Sequence, residues 1–245
     1  FLCTILGLFL SSCDLPQPPP DMFYKFDVMP VGQGPAHLLT ADLNLDGNLD
    51  LVSANTKNST LTILYGKGTG SFDSALSLNV AAEPTMSAVG DIDRDGYPDL
   101  VVNARGAKMF LVLQGNGDGT FRKPIPTRTG KVPLNIILGD YNHDDKLDAA
   151  VTLTFDKMEL YLGNGDGRFK KGATYLTGSR SFSGVTQDFN EDGHLDIALA
   201  ASSSSASSIR LFIGNGDGTF QKPKRVAEKL VPLAVVASDM NDDDK

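Results

Sequence analysis

Residues 42–50 read DLNLDGNLD, and the pattern returns as DIDRDGYPD at 91–99, DYNHDDKLD at 140–148, DFNEDGHLD at 188–196 and DMNDDDK at 239–245, where the sequence stops. The starts lie 49, 49, 48 and 51 residues apart. A second motif keeps step with the first: GKGTGSF at 66–72, GNGDGTF at 115–121, GNGDGRF at 163–169 and GNGDGTF at 214–220, spaced by 49, 48 and 51 residues. Two unrelated motifs sharing one period mark a repeated structural unit. Each Asp motif runs into a short apolar stretch, LDLVSA from Leu49, DLVVNA from Asp99, LDAAVTL from Leu147 and LDIALA from Leu195. A second stretch, LTILYG from Leu61, FLVLQG from Phe110, LYLG from Leu160 or RLFIG from Arg210, leads into the Gly motif, whose glycines permit the positive φ of a hairpin turn. No segment keeps a helical period.

Each unit therefore reads as four antiparallel strands: one before the Asp loop, one after it, one before the Gly turn and one after that. Four strands in about 40–50 residues is the size of one β-propeller blade. The fold class expected is all-β, with repeats over about 36–84, 85–133, 134–181 and 182–232 and the beginning of a fifth over 233–245. Phe23 stands twelve residues before Pro35, the same spacing as Phe72 to Pro84, Phe121 to Pro133 and Phe220 to Pro232. Residues 23–35 thus read as an orphan fourth strand that would close a ring by completing a last blade. That blade lies beyond Lys245, so the sequence reads as a fragment.

The opening FLCTILGLFLSSCD has an apolar run from Phe1 to Leu10, the length of a signal-peptide core and too short for a membrane-spanning helix of about 20 residues. Leu10-Ser11-Ser12-Cys13 resembles a bacterial lipobox, in which the cysteine becomes the acylated first residue. Asp14 resembles an inner-membrane retention signal. Residues 14–22, with Pro16, Pro18, Pro19 and Pro20, read as a stiff tether. The expectation is an exported protein of a bacterial cell envelope, lipid-anchored at Cys13 or otherwise secreted. The only two cysteines, Cys3 and Cys13, precede any core, so there is no disulfide framework. A net charge of -8 and a pI near 4.8 argue against nucleic acid and anionic lipid surfaces as partners. Much of the acid sits in the recurring Asp clusters, as cation sites do.

Asp or Asn at positions 1, 3 and 5, a turn-forming Gly at 6 and Asp at 9 gather hard oxygen donors suited to Ca²⁺; Mg²⁺ fits less well because it resists dehydration. An EF-hand is excluded, since Ser53, Val102, Val151 and Leu199 stand where its bidentate Glu belongs and strands flank the loop. Metal-free Asp/Asn/Gly turns are the bland alternative.

Over residues 23–245 the sequence resembles the FG-GAP or VCBS-type repeats and is similar to the propeller of integrin α-subunits. The resemblance implies calcium ligation by the side chains of Asp42, Asn44, Asp46 and Asp50; of Asp91, Asp93, Asp95 and Asp99; and of Asp188, Asn190, Asp192 and Asp196. It implies backbone-carbonyl ligation by Asn48, Tyr97 and His194. The third loop departs from the pattern, with Asp145 for Gly; its set would be Asp140, Asn142, Asp144, Lys146 and Asp148. The fifth would begin with Asp239, Asn241 and Asp243. The resemblance also implies a seven-bladed ring. There is no Trp for a WD signature and there are no kelch-type Gly-Gly pairs.

No catalytic set emerges. His37 falls in a first strand and His143 and His194 in Asp loops, where they read as surface residues; the GNGDG turns lack the Lys and helix of a phosphate loop. The Ser run 202–208 reads as a flexible loop. Asp loops and Gly turns emerge on one face, nearly identical between repeats. The other face carries the dissimilar segments 55–60, 103–108, 155–157, 178–183 and 202–208. Recognition of a protein or glycan is expected there, through Arg105, Lys108, Phe155, Arg180 and Phe182. The function expected is a non-catalytic binding or adhesion module. The alternative is the propeller part of a secreted carbohydrate-active or other enzyme with a catalytic part beyond Lys245.

Overall fold

The computed structural model describes residues 29–73, 75–202, 207–228 and 232–238. The chain divides into Phe1–Pro30 and Val31–Lys245. The signal-like stretch, Cys13, the tether and the fifth Asp loop lie outside the described residues, as do residues 23–28 of the expected orphan strand and 203–206 of the Ser run. Residues 29–34 run as an irregular loop, and Ser202 and Ser208 end and begin strands.

Sixteen strands and no helix occur among the described residues, so no helix there is long and apolar enough to cross a membrane. Each repeat forms one four-stranded antiparallel sheet with its strands in sequence order. The first blade is β1 (Pro35–Ala41), β2 (Asp50–Asn55), β3 (Thr60–Leu64) and β4 (Leu76–Asn79); the second is β5 (Pro84–Gly90), β6 (Asp99–Ala104), β7 (Met109–Leu113) and β8 (Ile125–Arg128). The third is β9 (Pro133–Gly139), β10 (Asp148–Leu153), β11 (Lys157–Gly163) and β12 (Phe169–Leu176); the fourth is β13 (Arg180–Gln187), β14 (Asp196–Ser202), β15 (Ser208–Phe212) and β16 (Lys224–Glu228).

Successive blades stack face to face with their first strands nearest one another, β1 beside β5, β5 beside β9 and β9 beside β13. The core therefore lies between blades. Val52, Leu61 and Ile63 of the first pack with Leu100, Val102 and Leu111 of the second. The opposite faces of those same second-blade strands supply Val101, Phe110 and Val112 to the next layer, with Ala149, Val151 and Tyr161 of the third. A third layer joins Ile137, Met158 and Leu160 to Ile197, Leu199 and Phe212. The second strands β6 and β10 are buried on both faces, which is why they read as largely apolar runs, with Asn103 and Thr152 their buried polar residues beyond the leading Asp. The outermost strands β4 and β8 alternate between half-buried and exposed residues, as a sheet edge facing water does.

The first three Asp loops are plugged into this core by their second residues. Leu43, Ile92 and Tyr141 are buried, while Phe189 of the fourth loop stays partly exposed. Each Gly turn closes on itself by pairing its first Gly with its Phe: Gly66 with Phe72, Gly115 with Phe121, Gly163 with Phe169 and Gly214 with Phe220. That first Gly is a matter of room. A Cβ would stand 2.1 Å from Leu49 O at Gly66, 2.4 Å from Pro98 O at Gly115, 2.2 Å from Leu147 O at Gly163 and 2.3 Å from Leu195 O at Gly214. Gly115→Ala is thus expected to destabilise the fold by about 1–3 kcal/mol through forced backbone shifts. Gly172→Ala, with nothing nearer than 3.4 Å to the new carbon, should change stability by less than about 0.5 kcal/mol. Urea denaturation of the two variants measures the contrast.

Candidate metal centre

Within each Asp loop the backbone wraps round the loop's own carboxylates. The first Asp accepts N–H bonds from positions 5 and 6: Asp42 from Asp46 (3.2 Å) and Gly47 (2.8 Å), Asp91 from Asp95 (3.1 Å) and Gly96 (3.0 Å), Asp140 from Asp144 (3.2 Å) and Asp145 (2.9 Å), and Asp188 from Asp192 (3.2 Å) and Gly193 (2.8 Å). The carboxylate at position 5 accepts the N–H of position 7, from Asn48, Tyr97, Lys146 and His194 in turn. Side-chain acceptors bonding local N–H groups are the reason for Asp and Asn in such turns. Position 4 takes a positive φ in all four loops, at Leu45, Arg94, His143 and Glu191. Position 6 does as well, and Asp145 adopts there, at φ 61°, the left-handed conformation that the other loops assign to glycine.

The ninth residue differs from the rest. Asp50, Asp99, Asp148 and Asp196 are fully buried. One oxygen of each accepts the N–H of position 2 in its own loop, from Leu43 (2.9 Å), Ile92 (2.9 Å), Tyr141 (3.1 Å) and Phe189 (3.0 Å). The other accepts the N–H of the first Gly of the same blade's turn, from Gly66 (2.9 Å) and from Gly115, Gly163 and Gly214 (2.8 Å each). The Asp loop and the Gly turn are therefore one structure joined by a buried carboxylate. Burial pushes Asp99 and Asp148 up to about 6, against the pull of those N–H donors. Without a cation, stability from these two groups is greatest below the ordinary carboxylate pKa and is lost as pH rises through about 6. A divalent cation favours the ionised form and opposes that loss.

Carboxylate oxygens of Asp91, Asp93 and Asp99 all lie within 4.8 Å of one another. Oxygen ligands at about 2.4 Å from Ca²⁺ are at most about 4.8 Å apart across the ion, so the three fit one coordination sphere. Asp93 Oδ1 is buried with no hydrogen-bond partner, and each oxygen that accepts one N–H keeps a second lone pair. The donor set thus suits a hard divalent cation. Around the position-5 carboxylates stand side-chain donors: Asn44 on Asp46 (3.1 Å), Lys146 on Asp144 (3.0 Å), Asn190 on Asp192 (2.9 Å), and Arg122, which bonds both Asp95 (3.0 Å) and Asp93 (3.1 Å). Gln114 Nε2 donates to Asp93 as well (2.5 Å). Neither Gln114 nor Arg122 stands out in the sequence. They flank the Gly turn, and only the carboxylate link between turn and loop brings them here.

At position 7 the side chains lie over the second Gly of the turn: Asn48 over Gly68, Tyr97 over Gly117, Lys146 over Gly165 and His194 over Gly216. That leaves the position-7 carbonyls as the atoms the loop can offer an ion. The dissimilar connections lie at the opposite end of the blades. There the turns between second and third strands bond to the entries of first strands, Thr56 N to Gly34 O, Arg105 N to Glu83 O and Thr154 N to Val132 O. Phe155 is 71% exposed, with Lys131 Nζ 5.1 Å from its ring centre, and Phe182 is 48% exposed. Thr152 Oγ1 donates to Ser181 O (2.6 Å), and Thr177 N to Asp156 O (2.8 Å), so the connection holding Arg180 and Phe182 packs against the Phe155 turn. Lys108 and Arg180 are exposed; Arg105 is half-buried, with Nε buried and unpartnered.

A family model described as an FG-GAP-like repeat matches residues 42–102, 91–151 and 188–245, each match opening on the first Asp of a loop. No curated protein matches the chain significantly. Among solved structures it is similar to BBS1N in complex with ARL6DN (TM-score 0.56, 15% identity, 83% of this chain and 58% of that one). It is also similar to an Agrocybe aegerita lectin whose structure concerns specific recognition of non-reducing terminal N-acetylglucosamine (TM-score 0.54, 20% identity, 79% of this chain and 53% of that one). A protein from Lactobacillus plantarum has TM-score 0.57 at 13% identity, over 82% of this chain and 59% of that one. At such identities the likeness concerns the fold, and the chain spans little more than half the length of these structures.

The buried aspartates and the loop-rim aspartates should separate under mutation. Asp99→Asn turns a donor toward one of the N–H groups of Ile92 and Gly115 and should cost about 1.5–3 kcal/mol even in chelating buffer. Asp95→Ala removes an exposed ion pair and one local bond, and should cost less than about 1 kcal/mol there. Equilibrium urea unfolding in EDTA tests both.

Proposed function

The chain belongs to the FG-GAP-like repeat family, and on that premise we propose that it is a calcium-binding propeller serving as a non-catalytic binding or adhesion module on a bacterial cell envelope. The observation that carries the calcium reading is the convergence of Asp91, Asp93 and Asp99 within the span of one coordination sphere, with an unpartnered buried oxygen on Asp93. The same backbone wrapping in the other three loops extends it to Asp42–Asp50, Asp140–Asp148 and Asp188–Asp196, the loop type of integrin α-subunit propellers. Calcium acts here on stability: it neutralises carboxylates that repel one another and fixes the loops that hold the Gly turns.

The partner then meets the opposite end of the blades, where the connections differ. Phe155 and Phe182 offer apolar and stacking surface; Lys131 lies over Phe155, and exposed Lys108 and Arg180 add positive charge at the same end of the blades on an otherwise acidic protein. Exposed aromatics flanked by cations suit a glycan or an acidic protein segment. The likeness to a lectin makes terminal N-acetylglucosamine a sensible first probe. Attachment to the envelope follows from acylation at Cys13, with the proline-rich segment 14–22 as spacer.

At a calcium concentration tenfold above Kd each site adds about 1.4 kcal/mol, and the four loops together about 6 kcal/mol. EDTA should then lower the melting temperature by about 12–24 °C. A melting temperature that does not move between millimolar calcium and EDTA would remove the calcium reading. Cys13→Ala should release the exported protein from the membrane fraction without changing its melting temperature, since the acyl chains hold it there. Fractionation of cells carrying either form decides the anchor separately from the metal.

A further inference from the structure

His143 and His194 come from different blades, at position 4 of the third Asp loop and position 7 of the fourth, 51 residues apart in sequence. The structure brings them together on the Asp-loop end, with His143 Nε2 2.8 Å from His194 Nδ1 and the rings edge to face at 5.0 Å. Both are exposed or nearly so, and the loop's own bonds use only their backbone. The His194 ring is held against the Gly turn: a Cβ on Gly216 would stand 2.4 Å from its Nδ1. At the junction of the second and third blades the corresponding positions are Arg94 and Lys146, and at that of the first and second they are Leu45 and Tyr97. The imidazole pair therefore belongs to this one junction and not to the repeat.

We propose that His143 and His194 form a two-imidazole site for a transition-metal ion, Cu²⁺ or Ni²⁺ in preference to Zn²⁺, that clamps the third and fourth blades. The preference follows from the ligand set, since two imidazole nitrogens completed by oxygen ligands make the mixed nitrogen and oxygen set that Cu²⁺ and Ni²⁺ take in tetragonal coordination. The 2.8 Å between the facing nitrogens is a hydrogen-bond length, which puts both within reach of one ion after a small rotation of the two exposed rings. Both rings can ligate while neutral, His143 carrying its proton on Nδ1 and His194 on Nε2. The metal thus replaces the one proton shared between the facing nitrogens by a shift of tautomer, with no net charge lost from the rings. Water completes the coordination. The site is separate from the calcium sites, which draw on hard oxygen atoms of the same loops.

The test is a titration of the full chain, thiols alkylated and millimolar calcium present, with CuCl₂ and separately NiCl₂. Calorimetry follows affinity and electron paramagnetic resonance follows the copper ligands. One equivalent of copper should bind with splitting from two nitrogens, and His143→Gln and His194→Gln should each weaken binding at least tenfold. His37→Gln, in β1 of the first blade, should leave it unchanged. Copper should also raise the melting temperature of the parent protein and of His37→Gln but not of the other two variants, whose circular dichroism reports that they are folded. Unchanged affinity in either His143→Gln or His194→Gln, or a copper spectrum showing oxygen ligands only, overturns the proposal.

Discussion

One buried carboxylate in each blade, that of Asp50, Asp99, Asp148 or Asp196, accepts an N–H from its own Asp loop and an N–H from the Gly turn of the same sheet. An ionisable group is taken wholly out of water at such a position only when both oxygens are satisfied. Here the donors are backbone, so the bond constrains two loop conformations at once. The Gly turn must begin with a residue that has no side chain, because the carbonyl preceding the buried Asp occupies the space a Cβ would take. The two motifs of the repeat are thus two halves of one contact, and this explains why they keep the same period.

The packing between blades depends on that contact. In the first three loops position 2, whose N–H the buried Asp accepts, is also the residue that reaches into the interblade layer, as Leu43, Ile92 and Tyr141 do. A loop displaced from the Gly turn would withdraw an apolar side chain from the core. The Gly turns in turn touch the preceding blade: Tyr65 of the first blade donates to Gly119 O of the second (2.7 Å), and Gly218 N of the fourth donates to Tyr141 O of the third (2.8 Å). Loop, turn and core layer are coupled, so a cation held in the loop would act on the stack of blades as well as on its own ligands. On the proposed reading that is the reason for a calcium site in every repeat.

The two ends of the blades are physically unlike. One is a row of near-identical acidic loops whose side chains are engaged with their own backbone; the other carries exposed rings and cations on turns that share no pattern. A surface whose side chains are already used in holding its own fold has little left with which to distinguish partners. The exception is the histidine pair, where two position-specific side chains project from neighbouring loops and meet.

The repeated Asp and Gly motifs and the apolar runs between them determined the four-stranded unit, because turn chemistry and double-sided burial are local demands that each blade must meet with its own residues. The nine-residue loop pattern likewise told which carboxylates gather, since they lie in one tight turn. Other features were decided only by the tertiary structure. The ninth Asp reads like the other acids of its loop, yet it is a buried strut, because its second partner lies 15 to 18 residues away across a hairpin. Arg122 and Gln114 reach the second loop only through the same closure. The half-burial of Arg105 and the meeting of His143 with His194 depend on how one blade is set against the next. That setting is the sum of many interblade contacts, and no short stretch of sequence carries it.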